Sequence, residues 1–456
     1  MKSADKSFEK KEVNMLSGPL LGKILLFCMP LAASSMLQQL FNSADTAVAG
    51  RFASAQDMSA VGANAPVISL LISLFVGLSI GGNVLIARYI GQRHREKINP
   101  AIGTILFLAF ISGLLMMGIC FLLAPLITRM MNTPDDVLPL AVLYLRIYSI
   151  GLPFVFLYNF SAAILRSKGD SQRPFLVLLF AGILNVGLNL FLVIVFHMGV
   201  AGVAIATVLS NIISSGMILR FLIHGEENFR LEKRYLKIHR EVLVFVLKIG
   251  LPAGLQGIVF SLSNVIIQTA LNSFGSIAVA GSVAAMNFEY LCYYSVNAFN
   301  QAATTFNSQN FAAGKIKRCR KIFKICVIGG ILSCTALNFL FFGFHRAALS
   351  LFSADPRVLH YAFLRMRHVL IFQGIAAIYE VTASFLRGMG HSLSPSLITV
   401  LGSCVFRIIW VYSIFPLSGN YTSLMAVYPT SWILTSLMML ACGYYYAKKE
   451  LRIQTQ

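Results

Sequence analysis

Charge is what this sequence has least of. Only 12% of its 456 residues are Asp, Glu, Lys or Arg, while 57% are hydrophobic and the mean hydropathy is +0.75. A soluble domain carries about 25% charged residues, so a water-soluble globular core is excluded. Cysteine is sparse and unpatterned. Cys28, Cys120, Cys292, Cys319, Cys326, Cys334, Cys404 and Cys442 fall within or at the ends of apolar runs with no CxxC pair, and are expected to be small apolar packing residues. A phosphate-binding Gly-Lys loop, an HExxH pair and a GxSxG elbow are all missing. ATP hydrolysis, zinc proteolysis and serine hydrolysis therefore have no motif here. The histidines show no metal spacing either. No enzyme activity, metal or cofactor is expected, which leaves an ion gradient, of protons or sodium, as the energy source for any work done.

What is present is hydrophobic length. Apolar stretches of roughly twenty residues, the length a helix needs to cross a bilayer, recur between short polar loops, and the period-two alternation of a barrel is absent. Spans are expected near 22–48, 62–88, 101–125, 138–164, 174–196, 199–223, 243–270, 277–309, 322–344, 358–386, 394–416 and 422–446. The fold class is thus an all-α integral membrane protein of about twelve transmembrane helices. The start, from Met1 to Asn14, is polar and lysine-rich, and the first apolar run has full span length, so no cleaved leader is expected.

The formal charge of +20 is distributed in loops, not gathered on one folded face, which points to a membrane surface and not to nucleic acid. Basic residues gather in alternate loops, all on one side. Lys2, Lys6, Lys10, Lys11 and Lys23 precede the first span; Arg93, Arg95 and Lys97 follow the second; Arg166, Lys168 and Arg173 the fourth. Lys233, Arg234, Lys237 and Arg240 follow the sixth, Lys315, Lys317, Arg318, Arg320 and Lys321 the eighth, and Lys448, Lys449 and Arg452 the last. The positive-inside rule then places both termini in the cytoplasm of a multi-pass protein, in a cell inner membrane.

The chain also repeats. A shift of roughly 221 positions lays Arg146, Tyr158, Arg166, Gly169 and Pro174 on Arg367, Tyr379, Arg387, Gly390 and Pro395, and a similar shift lays Pro30 on Pro252 and Asn42 on Asn264. Six spans per repeat keep both halves in the same orientation, and a transport path is expected between such halves. The expected division is a cytoplasmic segment 1–21, an N-lobe 22–223, a cytoplasmic linker 224–241, a C-lobe 242–447 and a tail 448–456.

Ionisable groups in hydrocarbon cost several kcal/mol, ~2.5–3.5 on the mildest scale, and ask for a role. In the first span Ser35, Gln38, Asn42 and Asp45 follow spacings of three and four and form one polar stripe. The fifth span adds Asn185 and Asn189, and the fourth Tyr158. A carboxylate in this setting is pulled two ways, toward its charged form by amide donors and toward its neutral form by desolvation; the plainer reading of Asp45 is a satisfied acid near the outer end of its span. In the second half Glu289 shares a face with Tyr293, Asn297 and Asn300, and Glu380 with Gln373 and Ser384; Asn264 and Gln268 add amides on the seventh span. These are candidates for coupling or substrate contact, against helix–helix hydrogen bonding. Arg407 is expected to pair with one of the two acids. Phe154, Phe156, Tyr290, Tyr293, Tyr294 and Phe299 offer ring faces to a bulky cation, although helix packing is their commoner use.

Two sets of residues carry a family likeness. The run from Pro30 through Gln38, Asn42, Ala44, Asp45, Gly50 and Arg51 to Ala60, Val61 and Gly62 resembles the opening signature of the multidrug and toxic compound extrusion (MATE) transporters. Ala163–Arg166 with Gly169 and Asp170, and Ser384–Gly388 with Gly390, resemble the motif those proteins carry after spans four and ten. The resemblance covers about residues 18 to 446 and is nearest the bacterial DNA-damage-inducible branch. It implies an efflux antiporter that exports organic, often cationic and amphipathic, compounds against protons or sodium by alternating access; the chain is expected to be a monomer. It also implies that the first-span acid, here Asp45, works with a fifth-span Asn and Asp four apart. Asn185 matches, but Asn189 stands where the acid belongs. That favours protons over sodium. The competing readings are a lipid-linked saccharide flippase of the wider superfamily, a membrane-embedded transferase and a transport-dead scaffold.

Overall fold

The computed structural model describes residues 12–131, 133–350 and 352–454. Lys2, Lys6, Lys10 and Lys11 lie outside the described residues, as does the side chain of Arg452. The chain is built from helices in the expected order: α1 Leu20–Phe52, α2 Ala55–Gln92, α3 Ile98–Met130, α4 Leu138–Ile150 continued by Leu152–Lys168, α5 Gln172–Leu190, α6 Gly199–Ile223, α7 Arg240–Asn272, α8 Ser276–Ala312, α9 Ile316–Gly343, α10 Pro356–Gly388, α11 Leu393–Ser418 and α12 Tyr421–Gln454. Ten of these, among the described residues, are long and apolar enough to cross a membrane, and the two pieces of α4 make an eleventh. The twelfth is α8, whose 37 residues include Glu289, Asn300, Asn307 and Asn310. Its polar side chains lower its hydropathy but turn inward. All four except Asn300 are buried.

Breaks in the helices follow from their sequence. α4 bends by 47° at Gly151, where Pro153 supplies no N–H and the ladder loses a bond. α3 reaches this corner closely, since a Cβ on Gly113 would lie 2.5 Å from the Cα of Pro153. Single π turns occur at Phe191–Val195, Met366–Leu370, Val400–Val405 and Trp410–Ile414. Such turns rotate the residues beside them relative to a regular helix; Arg365 directly precedes one and Arg407 lies between two.

The helices form two compact units. One contains Met29–Leu251 with the described residues up to Asn14, the other Met15–Cys28 with the chain from Pro252 onward. The change of unit falls inside α1 beside Pro30 and inside α7 at Pro252. Side-chain size explains this. Gly81 and Gly250 let α2 and the first turns of α7 meet backbone to backbone, at Val246 and Leu78 respectively. In the second unit the Arg318 guanidinium binds the carbonyls of Met15, Ser17 and Gly18 at 3.1, 2.9 and 2.8 Å, and Asn310 also donates to Met15 at 3.1 Å.

Each unit has its own apolar core. In the first, Phe75 of α2 stacks on Phe156 of α4, within a cluster that includes Ile86, Ile102, Ile105 and Phe160. In the second, Phe288, Cys292, Val296 and Phe299 of α8 are buried. Phe156 and Phe299 are therefore buried among the helices. All the cysteines are buried except Cys442, which is half-buried.

Candidate functional site

In the first unit, α1, α5 and α6 bring four polar side chains together. Asp45 is 8% exposed. Asn189 donates to its Oδ1 at 2.5 Å and Thr207 to its Oδ2 at 3.4 Å. Asn189 also donates to Asn185 Oδ1 at 3.3 Å, and Asn185 in turn to Thr207 Oγ1 at 3.3 Å. The spacing of four places Asn185 and Asn189 one turn apart on the same face of α5, so a single helix presents both amides. No ion pair involves Asp45 among the described residues. Its neighbours are neutral donors.

The rest of the expected first-half group lies apart. Gln38 and Asn42 are exposed and do not enter the Asp45 network, because α1 turns its carboxylate inward while the earlier positions of the stripe stay at the surface. The Tyr158 hydroxyl donates instead to the carbonyl of Pro174 at 2.9 Å, tying α4 to the first turn of α5. Thr207 is the member that sequence reading missed. A single Thr in the apolar run of α6 has no pattern to mark it.

In the second unit, α8 and α10 are joined along their length by polar contacts. Glu289 is held by Arg365 in a two-pronged ion pair, Nε to Oε1 at 2.7 Å and Nη2 to Oε2 at 2.9 Å, and both residues are buried. Gln373 donates to the Glu289 carbonyl at 2.9 Å. The Tyr293 hydroxyl and Asn300 amide, expected beside Glu289, bind Glu380 at 3.2 and 3.0 Å, and Ser384 donates to Asn300 Oδ1. Residues that share one face of α8 thus meet different partners on α10: Glu289 the Arg365 base, Tyr293 and Asn300 the Glu380 acid. Asn307 and Ser308 continue the seam with bonds to the carbonyls of Phe385 and Gly388 at 2.7 and 3.0 Å.

Arg407 pairs with neither acid, contrary to expectation. It donates to Ser431 Oγ at 3.0 Å and Asn264 Oδ1 at 3.4 Å, and its guanidinium carbon lies 5.1 Å from the Phe260 ring centre and 4.9 Å from that of Tyr428. Tyr428 has Arg365 on it as well, at 5.2 Å. Ring faces and neutral oxygens take the place of a carboxylate. Gln268 donates to Asn272 Oδ1 at 2.9 Å within α7. It is separate from this group.

The loop between α4 and α5 forms a third polar cluster. Gly169 takes φ +109°, with the carbonyl of Val13 where a Cβ would stand; only glycine fits there. Asp170 Oδ1 accepts from the backbone N–H groups of Gln172 and Arg173 at 3.1 and 3.0 Å, capping α5. Burial pushes the Asp170 carboxyl above its ordinary value, opposed by these backbone bonds and the nearby Arg173. Lys168 bridges Glu12 at 2.9 Å and Glu226 at 2.8 Å.

A family model, MatE, matches residues 30–191 and 252–413, so two copies cover most of the chain. The chain belongs to the MatE family. The offset that carries Pro30 onto Pro252 carries Asn42 onto Asn264, Asp45 onto Ile267 and Asn185 onto Arg407. The first MatE repeat thus has an acid on α1 where the second has Ile267, and the second has a base on α11 where the first has Asn185. Among relatives, a probable multidrug resistance protein YoeA of Bacillus subtilis (strain 168) is 27% identical over 440 residues, covering 92% of each chain. A probable multidrug resistance protein NorM of Thermotoga maritima is 27% identical over 391 residues, covering 85% of this chain and 84% of its own. A crystal structure of MATE in complex with MaD3S superposes with a TM-score of 0.87 at 22% identity, covering 97% of this chain and 99% of that one. This MatE protein is accordingly a multi-pass, all-helical membrane protein of the MATE transporter fold.

Proposed function

We propose that this MatE protein is a multidrug efflux antiporter that exports organic, cationic amphipathic compounds in exchange for protons. Both termini would lie on the cytoplasmic side of a cell inner membrane. The observation that carries the reading is Asp45, a buried carboxylate with amide and hydroxyl donors and no cation beside it. Such a group is balanced by nothing fixed, so its charge is free to change with each cycle. Protons are favoured over sodium because Asn185, Asn189 and Thr207 bring no second carboxylate to replace a sodium ion's water shell. The relatives named as multidrug resistance proteins support organic compounds as the cargo.

Alternating access needs one state of the protein to hold the proton more tightly than the other. Protonation of Asp45 from outside would remove the acceptor charge that holds Asn189 and Thr207, freeing α1 from α5 and α6 and favouring substrate release. In the second half, Glu380 is the candidate for a cation-binding role, since it faces Tyr293 and Asn300. Glu289 is neutralised by Arg365 and is read as structural.

The test is ethidium export from proteoliposomes of the full chain under an imposed proton or sodium gradient. Proton-driven export lost in Asp45→Asn is expected; export driven by sodium alone would overturn the choice of ion. Export unaffected by Asp45→Asn would remove Asp45 from the mechanism.

A further inference from the structure

At one end of the second unit, α8, α9, α10 and α12 leave a cleft of about 350 Å³ between them. It is bounded by Phe311 at the end of α8, Phe323 of α9, Phe385 of α10 and Tyr444 of α12, and it opens beside Arg320 and Lys324. Phe323 and Phe385 form its inner wall, with ring centres 5.1 Å apart. Gly443 faces Thr382, whose Cγ2 would lie 3.0 Å from a Cβ at that position; its bare backbone lets α12 approach α10 above the cleft.

The charges at the mouth have a pattern of their own. Arg320 and Lys324 are four apart and so lie on one face of α9; both are exposed. Neither takes part in an ion pair among the described residues. Lys448, one turn beyond Tyr444 on α12, is exposed at the same end. The first turns of α9 also carry Lys315, Lys317, Arg318 and Lys321, so this end of the unit is the basic one.

An apolar slot with unpaired cations at its lip matches an acyl chain attached to an anionic headgroup. We propose that this cleft is a binding site for an anionic phospholipid, one acyl chain lying between Phe323, Phe385 and Tyr444 and the phosphate resting on Arg320 and Lys324. A cationic drug would meet repulsion at the same lip, and a zwitterionic lipid would gain less from it. The site adjoins α10 on the side of Thr382 and Phe385, whereas Glu380 and Ser384 of that helix face α8. A bound lipid would thus brace the helix that carries the second-half polar seam.

The experiment uses the full chain in nanodiscs containing phosphatidylglycerol or phosphatidylcholine with the same photoactivatable acyl chain, and maps the adducts by peptide mass spectrometry. Adducts are expected on the peptides holding Phe323, Phe385 and Tyr444, with phosphatidylglycerol in excess. Arg320→Glu with Lys324→Glu should lower the phosphatidylglycerol adducts there by more than about thirtyfold, since losing two cations at a lipid surface already accounts for about that factor and the two new anions add repulsion. Ala447→Trp, which narrows the cleft and leaves the charges, should lower the adducts from both lipids. Adducts that ignore the headgroup and the charge reversal, or that spread evenly around the hydrophobic belt, would overturn the site. Ethidium export measured in the same lipid mixtures keeps this outcome separate from the transport reading.

Discussion

Asn189 donates its amide to Asp45 at 2.5 Å while its own carbonyl oxygen is buried without a hydrogen-bond partner. An unmet buried acceptor costs about 1–3 kcal/mol. An amide can turn over, and a reversed Asn189 would accept a hydrogen bond from Asp45 once that acid is protonated. One residue thereby serves both protonation states. Asn189→Asp removes this ability and adds a second carboxylate. We expect proton-driven ethidium export to fall at least tenfold and sodium to stimulate what remains; proteoliposome export under each gradient decides it, and an unchanged ion dependence would refute the idea.

Thr207 is the sole hydroxyl donor to Asp45 among the described residues. Thr207→Val keeps the shape but removes the donor, at a cost of roughly 1 kcal/mol. Export should slow several-fold with the thermal midpoint little changed, and Thr207→Ser should restore it. Equal rates in both variants would show that the 3.4 Å contact has no functional part.

The Glu289–Arg365 pair should behave as a closed unit. Arg365→Met leaves a buried acid alone, which costs about 3–5 kcal/mol, whereas Glu289→Gln combined with Arg365→Met should recover much of that loss. Thermal unfolding of the two single variants and the double variant in detergent measures the coupling. Additive losses would mean the pair contributes nothing as a pair.

Gly113→Ala should push α3 away from the bend of α4, because the added methyl meets the backbone of Pro153, which cannot swing aside. Overpacking of this kind costs about 1–3 kcal/mol. A lower unfolding midpoint is expected, and an unchanged one would show that the corner has slack.

Burial raises the Asp170 carboxyl above its unfolded value, so the folded protein binds that proton more tightly. Stability from this group is then present below the unfolded value and is lost as pH rises through the folded one. Asp170→Asn keeps an oxygen for the two capping N–H groups but does not titrate. The midpoint of wild type minus that of the variant should decline with rising pH across that window, as read by unfolding in buffered detergent; a difference that grows with pH would reverse the assignment.

The sequence showed most of the architecture, because hydrophobic length and loop charge are written locally. All the expected spans correspond to helices, including α8, whose polar residues disguise it from hydropathy alone. Periodicity along one helix put Ser35, Gln38, Asn42 and Asp45 in one stripe, of which Asp45 is buried while Gln38 and Asn42 are exposed. What it could not supply was pairing across helices. Tyr293 and Asn300 share a face with Glu289 yet bind Glu380, and Arg365 reaches Glu289 from a helix 76 positions away. Arg407 looked like a counter-ion because a buried base suggests an acid; the rings of Phe260 and Tyr428 had no signal linking them to it. Tyr158 matched its repeat partner in sequence, but its bond to Pro174 depends on how α4 meets α5.

The change of unit at Pro30 and Pro252 has a consequence for synthesis. Residues 15–28 leave the ribosome early, yet the side chains that hold their carbonyls, Asn310 and Arg318, come after more than half the chain has been made. The first unit likewise waits for Arg240–Leu251 to cover Gly81. A chain cut after α6 would therefore contain six complete helices and still lack part of its own packing, so neither half of this protein is a finished folding unit by itself.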